Sequence, residues 1–280
     1  MFPDHGGSVA ALIERASAAI RFTGGGPVPG VHFFCAKESL DISERLRIES
    51  LLRAALARKH LRLVYQPIVD LRTGRVAAVE ALCRWRDPEL GEISPARFIP
   101  IAEQSGLATP LGQWVQDTAC AQIRHWQEKD GCRIPVAINL AAPELQQPGF
   151  AQNLLTRLAE QGIDTGLLWL EVTEHSLVGE GPTLEENLRR FQQAGIHISI
   201  DDFGTGYSSL SYIGRFPISS LKIDQAFTGG LPDGRNELAL TRAVISMAEA
   251  LNIRTVGEGV ETKAQLDCLV HHGCDFAQGF

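Results

Sequence analysis

The sequence predicts an α/β protein closed into a barrel of eight strands, and three observations lead there. Short apolar, β-branched runs recur from residue 61 onward. Longer amphipathic stretches, apolar at spacings of three and four, fall between most of them. Acids and amides gather late in the runs. Strand alternating with helix favours a parallel sheet covered by helices, and eight such strands close a TIM-like (β/α)8 barrel.

Taken in order, the predicted strands are Leu61–Asp70, Val76–Trp85, Pro135–Leu140, Leu167–Val172, His197–Phe203, Leu221–Phe227, Arg254–Val260 and Cys274–Phe280. The first two are joined only by Leu71–Arg75 with its Thr-Gly turn. That is too short for a parallel crossover, so they pair as an antiparallel hairpin and one strand near the start runs against the rest. The predicted helices are Leu111–Lys129, Ala151–Gln161, Leu184–Ala194, Glu237–Leu251 and Lys263–His272. Ahead of the barrel, Ser43–Lys59 reads as an amphipathic helix with Leu46, Ile48, Leu51, Leu52 and Leu56 on its apolar side. Phe280 follows directly on the eighth strand, so the last covering helix is missing from this sequence; either it lies further along a longer chain, or, if the protein stops here, an exposed apolar seam is expected.

At 280 residues, 44% hydrophobic and 21% charged, the chain has the composition of a folded domain with a sizeable core. Its apolar runs stop well short of the roughly 18 residues of a spanning helix. Residues 1–30 lack the basic start and apolar block of a signal peptide, so a cytoplasmic location without membrane insertion is expected. Six cysteines without a C-x-x-C pair read as reduced thiols. A net charge of −7 argues against a grip on long nucleic acid, which needs a basic face. It leaves phosphate substrates open, because carboxylates that hold divalent cations turn an acidic pocket into one that attracts phosphate.

The polar residues of the runs carry the chemistry. Glu80 lies in the second predicted strand, Asn139 near the end of the third, and Glu171 ends the fourth with Glu174 just after it. Asp201 and Asp202 lie in the fifth, Lys222 and Asp224 in the sixth, Glu258 in the seventh and Gln278 in the eighth. Any one of them alone reads as a loop cap. As a set they converge on the C-terminal mouth, where barrels of this type build their sites from many strands. Carboxylates crowded into one pocket are costly unless paired or metal-bound, and an oxygen-rich set selects magnesium or manganese.

The order of short blocks resembles a known family. Glu80-Ala81-Leu82 is preceded by Tyr65-Gln66-Pro67-Ile68-Val69-Asp70 and followed by Ile138-Asn139-Leu140, Glu171-Val172-Thr173-Glu174 and Asp201-Asp202-Phe203-Gly204-Thr205-Gly206. Leu221-Lys222-Ile223-Asp224, Gly257-Glu258-Gly259-Val260-Glu261 and Gln278-Gly279-Phe280 complete the series. Over roughly residues 43–280 this is similar to the EAL family of cyclic di-GMP phosphodiesterases. The resemblance implies metal-dependent hydrolysis of cyclic di-GMP to linear pGpG, which lowers a bacterial second messenger. It also implies a two-ion site, magnesium or manganese, in which Glu80, Asn139, Glu171 and Asp201 hold one cation while Asp201, Asp202 and Glu258 hold the other. On the same resemblance Lys222, Glu258, Glu174 and Gln278 are candidate catalytic residues, with Glu174 bracing the loop Phe203–Ser209. Gln66, Arg84, Glu80, Asp224 and Glu261 are candidate substrate contacts. Ala141, Gly257 and Gln225-Ala226 depart from the family pattern without removing a metal ligand. A silent cyclic di-GMP receptor and a hydrolase of another phosphodiester remain the alternatives. Barrels of this family often pair, so a homodimer and upstream regulatory domains are expected.

Residues 1–42 stand apart from the barrel. The helical Val9–Ile20, the Gly24-Gly25-Gly26 turn and the apolar Val31-His32-Phe33-Phe34 resemble the tail of a GGDEF, diguanylate cyclase-like domain followed by a linker, with an ordinary N-terminal arm as the equal alternative.

Overall fold

The computed structural model describes residues 36–58, 60–177, 181–204 and 214–279, with side chains from residue 43 onward except at residue 130. The GGDEF-like remnant expected in residues 1–42 therefore lies largely outside the described residues, as does most of the loop Phe203–Ser209. The strands are β1 (Leu61–Asp70), β2 (Val76–Asp87), β3 (Gly91–Ile93), β4 (Val136–Leu140), β5 (Leu168–Thr173), β6 (His197–Phe203), β7 (Ser220–Ile223), β8 (Arg254–Val260) and β9 (Phe276–Gly279). Their order is β1-β9-β8-β7-β6-β5-β4-β2-β3, and β1 also pairs with β2, so eight strands close on themselves and β3 is an outside flap. β1 runs antiparallel to both of its neighbours, whereas β2 and β4 to β9 are parallel in sequence around the ring. The hairpin turn is fixed by Asp70, whose Oδ1 accepts the Thr73 N–H at 2.7 Å.

Three features depart from the sequence reading. β2 runs past Trp85 to Asp87. The Asp87 carboxylate then accepts the N–H groups of Glu89 and Leu90 at 2.9 and 3.0 Å, turning the chain back into β3. The helix Pro95–Gln104 follows with proline in its first turn, where the missing N–H costs nothing. Finally, the predicted strand Leu221–Phe227 stops at Ile223, because Asp224 accepts the Ala226 N–H at 2.7 Å and caps a helical turn over Gln225–Thr228.

Strand alternation splits the inside of the barrel into two layers. At the bottom, Ile68, Ala78, Ala137, Val256 and Phe276 form a small apolar cluster with Trp169 packed against it. Two residues along the same strands stand Gln66, Glu80, Asn139, Glu258, Gln278 and Glu171. The large outer core lies between the strands and the helices Ala108–Asp130, Phe150–Glu160, Pro182–Gln193, Arg235–Ala250 and Lys263–His271. Among the described residues no helix is long and apolar enough to cross a membrane, and the five described cysteines are free.

A second core sits beside the barrel. Ile48, Leu52 and Ala55 of the helix Ala36–Arg58 pack with Trp85, Phe98, Ile101 and Ala102. Trp85 meets Phe98 edge-on at 5.6 Å. Leu46, expected on the apolar side, is instead 60% exposed, because it lies two residues before Ile48 and so on the opposite face of the helix from Ile48, Leu52 and Ala55. Leu52→Ala, from a site 0% exposed, should destabilise by about 2–5 kcal/mol. Leu46→Ala should stay within about 0.5 kcal/mol, and urea unfolding of the two variants checks the contrast.

Candidate active site

The mouth of the barrel is organised around Lys222, which is 1% exposed on β7. Its ammonium lies 2.8 Å from Glu171 Oε2, 2.8 Å from Glu258 Oε1, 3.1 Å from Asp201 Oδ1 and 3.3 Å from Glu80 Oε2. Four strands thus send a carboxylate to one lysine carried by a fifth. Glu80 is fixed further by two amides, with Asn139 Nδ2 donating to its Oε1 at 2.8 Å and Gln278 Nε2 to its Oε2 at 2.6 Å. Gln278 Nε2 also donates to Gln66 Oε1 at 3.2 Å, and Gln66 Nε2 donates to the Gly279 carbonyl at 3.3 Å. Asp202 stands at the rim with φ 54, a left-handed conformation that Asp tolerates better than most residues. Carboxylate oxygens of Asp201, Asp202 and Glu258 all lie within 4.8 Å of one another.

One positive charge cannot neutralise this many acids, and the proton affinities record the imbalance. Burial alone would depress the Lys222 pKa, but Glu171, Glu80, Glu258 and Asp201 outweigh it and hold the ammonium well above its ordinary range. Burial pushes Glu171 well up, with the charges of Glu80 and Asp201 adding to it against Lys222. Glu258 is pushed up to about 7, first by burial and then by Asp201 and Glu80, against Lys222. Asp202 is pushed up to about 6 by desolvation and by Asp201 and Asp224. Burial also raises Glu80, but Lys222, Gln278 and Asn139 overcome it and leave a net lowering. The buried Gln278 Oε1 has no hydrogen-bond partner. Excess carboxylate, oxygen-only donors and an unmet amide oxygen fit hard divalent cations.

Two cavities open on this cluster and share Glu80, Leu82, Asp201 and Asp202 as the ridge between them. One, of about 300 Å³, contains Lys222, Glu258, Gln66, Asp224, Glu261 and Gln278. The other, of about 400 Å³, is walled by Arg84, Pro95, Ile99, Leu111, Asn139 and Glu144. Arg84 folds back to donate to the Cys83 carbonyl at 3.0 Å. Asp224 caps its turn and interacts with Asp202, while Glu261 stands exposed with its N–H on Gln265 Oε1 at 2.8 Å. Glu174 Oε2 accepts the N–H of Gly204 at 3.4 Å.

Fold and site together define a class: an α/β barrel whose acidic mouth suits divalent cations. Comparison with known proteins narrows it. Residues 49–280 match the EAL domain family, and the chain belongs to that family. It is 37% identical over 280 residues, 100% of this chain and 41% of the relative, to the bifunctional diguanylate cyclase/cyclic di-GMP phosphodiesterase MucR of Pseudomonas aeruginosa. It is 35% identical over 280 residues, 100% of this chain and 36% of the relative, to the cyclic di-GMP phosphodiesterase NbdA of the same organism. A solved structure of PaMucR phosphodiesterase in complex with c-di-GMP matches with a TM-score of 0.78 at 39% identity, covering 84% of this chain and 95% of that one. The chain spans 32%, 40% and 41% of the length of three curated relatives it matches.

One group at the site escaped the sequence reading. Glu144, 2% exposed, lines the larger cavity and accepts Gln116 Nε2 at 2.7 Å and the Ala141 N–H at 3.0 Å. Gln116 in turn accepts from Arg157, which pairs with Asp117 at 2.8 Å. A Cβ on Gly112 would run into the Glu144 carboxylate, so the helix can pass this close only with glycine there. The sequence signal was an acid three residues after Ala141, in the first turn of the short helix Ala142–Leu145, from where it reaches back to the Ala141 N–H.

Burial pushes Glu144 up from 4.5 to about 7, against Ala141, Gln116 and Arg157. The folded state then binds this proton more tightly than the unfolded one. Its contribution is full below about pH 4.5, falls as pH rises and is lost by about pH 7. Glu144→Gln should therefore gain on the wild type by up to about 3 kcal/mol between pH 4.5 and 7.5. Urea unfolding of both proteins across that range checks it, and a constant difference contradicts it.

Proposed function

We propose that the barrel over residues 43–280 is a metal-dependent phosphodiesterase that opens cyclic di-GMP to the linear dinucleotide pGpG. The observation that carries this reading is the convergence of Glu80, Glu171, Asp201 and Glu258 within 3.3 Å of one buried lysine, beside Asp202 and Asn139. Relatives named as cyclic di-GMP phosphodiesterases along the full chain, and the PaMucR complex with c-di-GMP, support the substrate.

Glu80, Asn139, Glu171 and Asp201 would hold one ion and Asp201, Asp202 and Glu258 a second, magnesium or manganese. Such a pair supplies an activated water and neutralises charge on the attacking and leaving oxygens. The protein's own groups set the geometry. Asn139 and Gln278 hold the Glu80 carboxylate toward Lys222 through both of its oxygens. Lys222 keeps four acids in one arc and presents a fixed positive charge to an anionic ester. Glu174, on the N–H of Gly204, braces the chain just after Asp201 and Asp202. In the reaction the oxygen of water joins phosphorus and one P–O ester bond breaks. The leaving ribose oxygen takes a proton, and the other strand of the ring stays intact.

Two cavities either side of one ridge suit a substrate with two nucleoside halves, one beside Arg84 and Glu144, the other beside Gln66, Asp224 and Glu261. A nucleotide messenger as substrate places the activity in the cytoplasm, and homodimer pairing and control by segments outside the barrel belong to the same proposal. Turnover of cyclic di-GMP with Mg²⁺ or Mn²⁺, followed by chromatography of the linear product, tests it. Chelation should abolish the product, and Glu80→Ala should lower the rate at least ~100-fold. Tight binding without turnover would make the chain a receptor instead.

A further inference from the structure

The acids of the mouth stand on strands held in register except at two slips, one in β6 between Ile200 and Phe203, where Asp201 and Asp202 sit, and one in β8. β7 pairs with β8 from Ser220↔Arg254 to Ile223↔Gly257. β8 pairs with β9 at Val256↔Phe276 and Gly257↔Ala277, then slips to Val260↔Gly279. Glu258 has no register partner on either side. Gly259 beside it has φ 61, and a Cβ there would meet the Cβ of Gln225 at 2.6 Å, so the strand bulges against the turn that follows β7. A side chain carried on a bulge is aimed by whatever holds its main chain.

Thr228 holds it. This residue is 0% exposed, ends the turn Gln225–Thr228 and donates its hydroxyl to the main-chain carbonyl of Glu258. Its other acceptor, the Gln225 carbonyl, is 3.5 Å away. The turn begins at Asp224, two residues after Lys222, and Asp224 caps it through the Ala226 N–H. A single turn therefore links the strand that carries the ammonium to the carbonyl of the residue that carries the partner carboxylate, 2.8 Å from that ammonium.

We propose that Thr228 is a positioning residue, whose hydroxyl fixes the Glu258 main chain and so keeps its carboxylate on Lys222 and beside Asp201 and Asp202. This rests on the phosphodiesterase reading and deepens it. Thr228 itself lines neither cavity at the mouth. Without the hydroxyl, the Glu258 carbonyl loses a buried donor and the bulge can relax away from the lysine.

The test uses the full chain with Thr228→Val, which keeps the shape and removes the donor, and Thr228→Ser, which keeps the donor. The valine variant should need about tenfold more Mn²⁺ for half-saturation, with the KM for cyclic di-GMP within about twofold of wild type. The serine variant should behave as wild type. Crystal structures should show the Glu258 to Lys222 contact opened beyond 4 Å with valine and kept with serine. Either an unmoved Glu258 or an unchanged Mn²⁺ half-saturation in the valine variant overturns the proposal. So does a serine variant as impaired as valine, which would mean packing alone. Should the valine variant not fold, Thr228→Cys, a weaker donor of similar size, is read the same way. If the wild type turns over no cyclic di-GMP, the functional reading falls, while Mn²⁺ calorimetry and the crystal structures still decide the role of Thr228.

Discussion

Everything at the mouth of this barrel depends on one buried ammonium. Taking a carboxylate out of water costs several kcal/mol even after relaxation, and β2, β5, β6 and β8 each bring one to Lys222. The lysine makes the cluster foldable without making it neutral. What remains is a net negative layer whose members either take up protons, as the raised Glu171 and Glu258 do, or accept cations. Affinity for metal and tolerance of the fold for its own site are thus two sides of one charge imbalance. The amides of Asn139 and Gln278 fit the same logic, since they satisfy Glu80 without adding charge.

The alternation of strand side chains is what lets core and site share the same eight strands. Ala78, Ala137, Val256 and Phe276 fill the bottom, and two residues further along the same strands come Glu80, Asn139, Glu258 and Gln278. A slip of one residue in β2 or β5 would turn its acid toward the outer core and an apolar side chain into the mouth. The antiparallel β1 obeys the same rule in reverse, with Ile68 low and Gln66 high. β6 and β8 both slip where they carry acids, and in β8 the bulge frees Glu258 from the ladder on both sides.

Much of this was legible in the sequence. Period-two runs with acids at their ends are a strong signal, so the barrel, the reversed first strand and the acids that meet at Lys222 could be placed from residue type and order. The losses have identifiable causes. Leu221–Phe227 looked like one apolar run, and only the aspartate at 224 marked the change from strand to turn. Glu144 sits in a four-residue helix with little periodicity, and its burial depends on a glycine at 112 in another helix, a contact that spacing along the chain cannot reveal. β3 follows an Asp-Pro-Glu-Leu-Gly turn that reads as loop until Asp87 is seen accepting two N–H groups. Leu46 fails on the apolar side because the 3.6-residue period places it opposite Ile48, Leu52 and Ala55.

The two cavities differ in what holds their walls. The smaller one is made of strand ends and of the turn and loop segments directly following them, and inherits the rigidity of a closed ladder. The larger one borrows Pro95, Ile99 and Ala102 from the helix Pro95–Gln104, which belongs to the second core. That helix carries Pro100 in its interior, losing a main-chain hydrogen bond, and at ten residues it draws its stability from packing rather than from its own ladder. Its packing partners are Ile48, Leu52 and Ala55 of the helix Ala36–Arg58, which precedes the barrel in the chain. The acids and their lysine are therefore fixed by the barrel, while the shape of the larger cavity is set in part by a separate, smaller core. Any change that loosens the helix ahead of the barrel reaches the site through this wall, leaving the lysine and its acids in place.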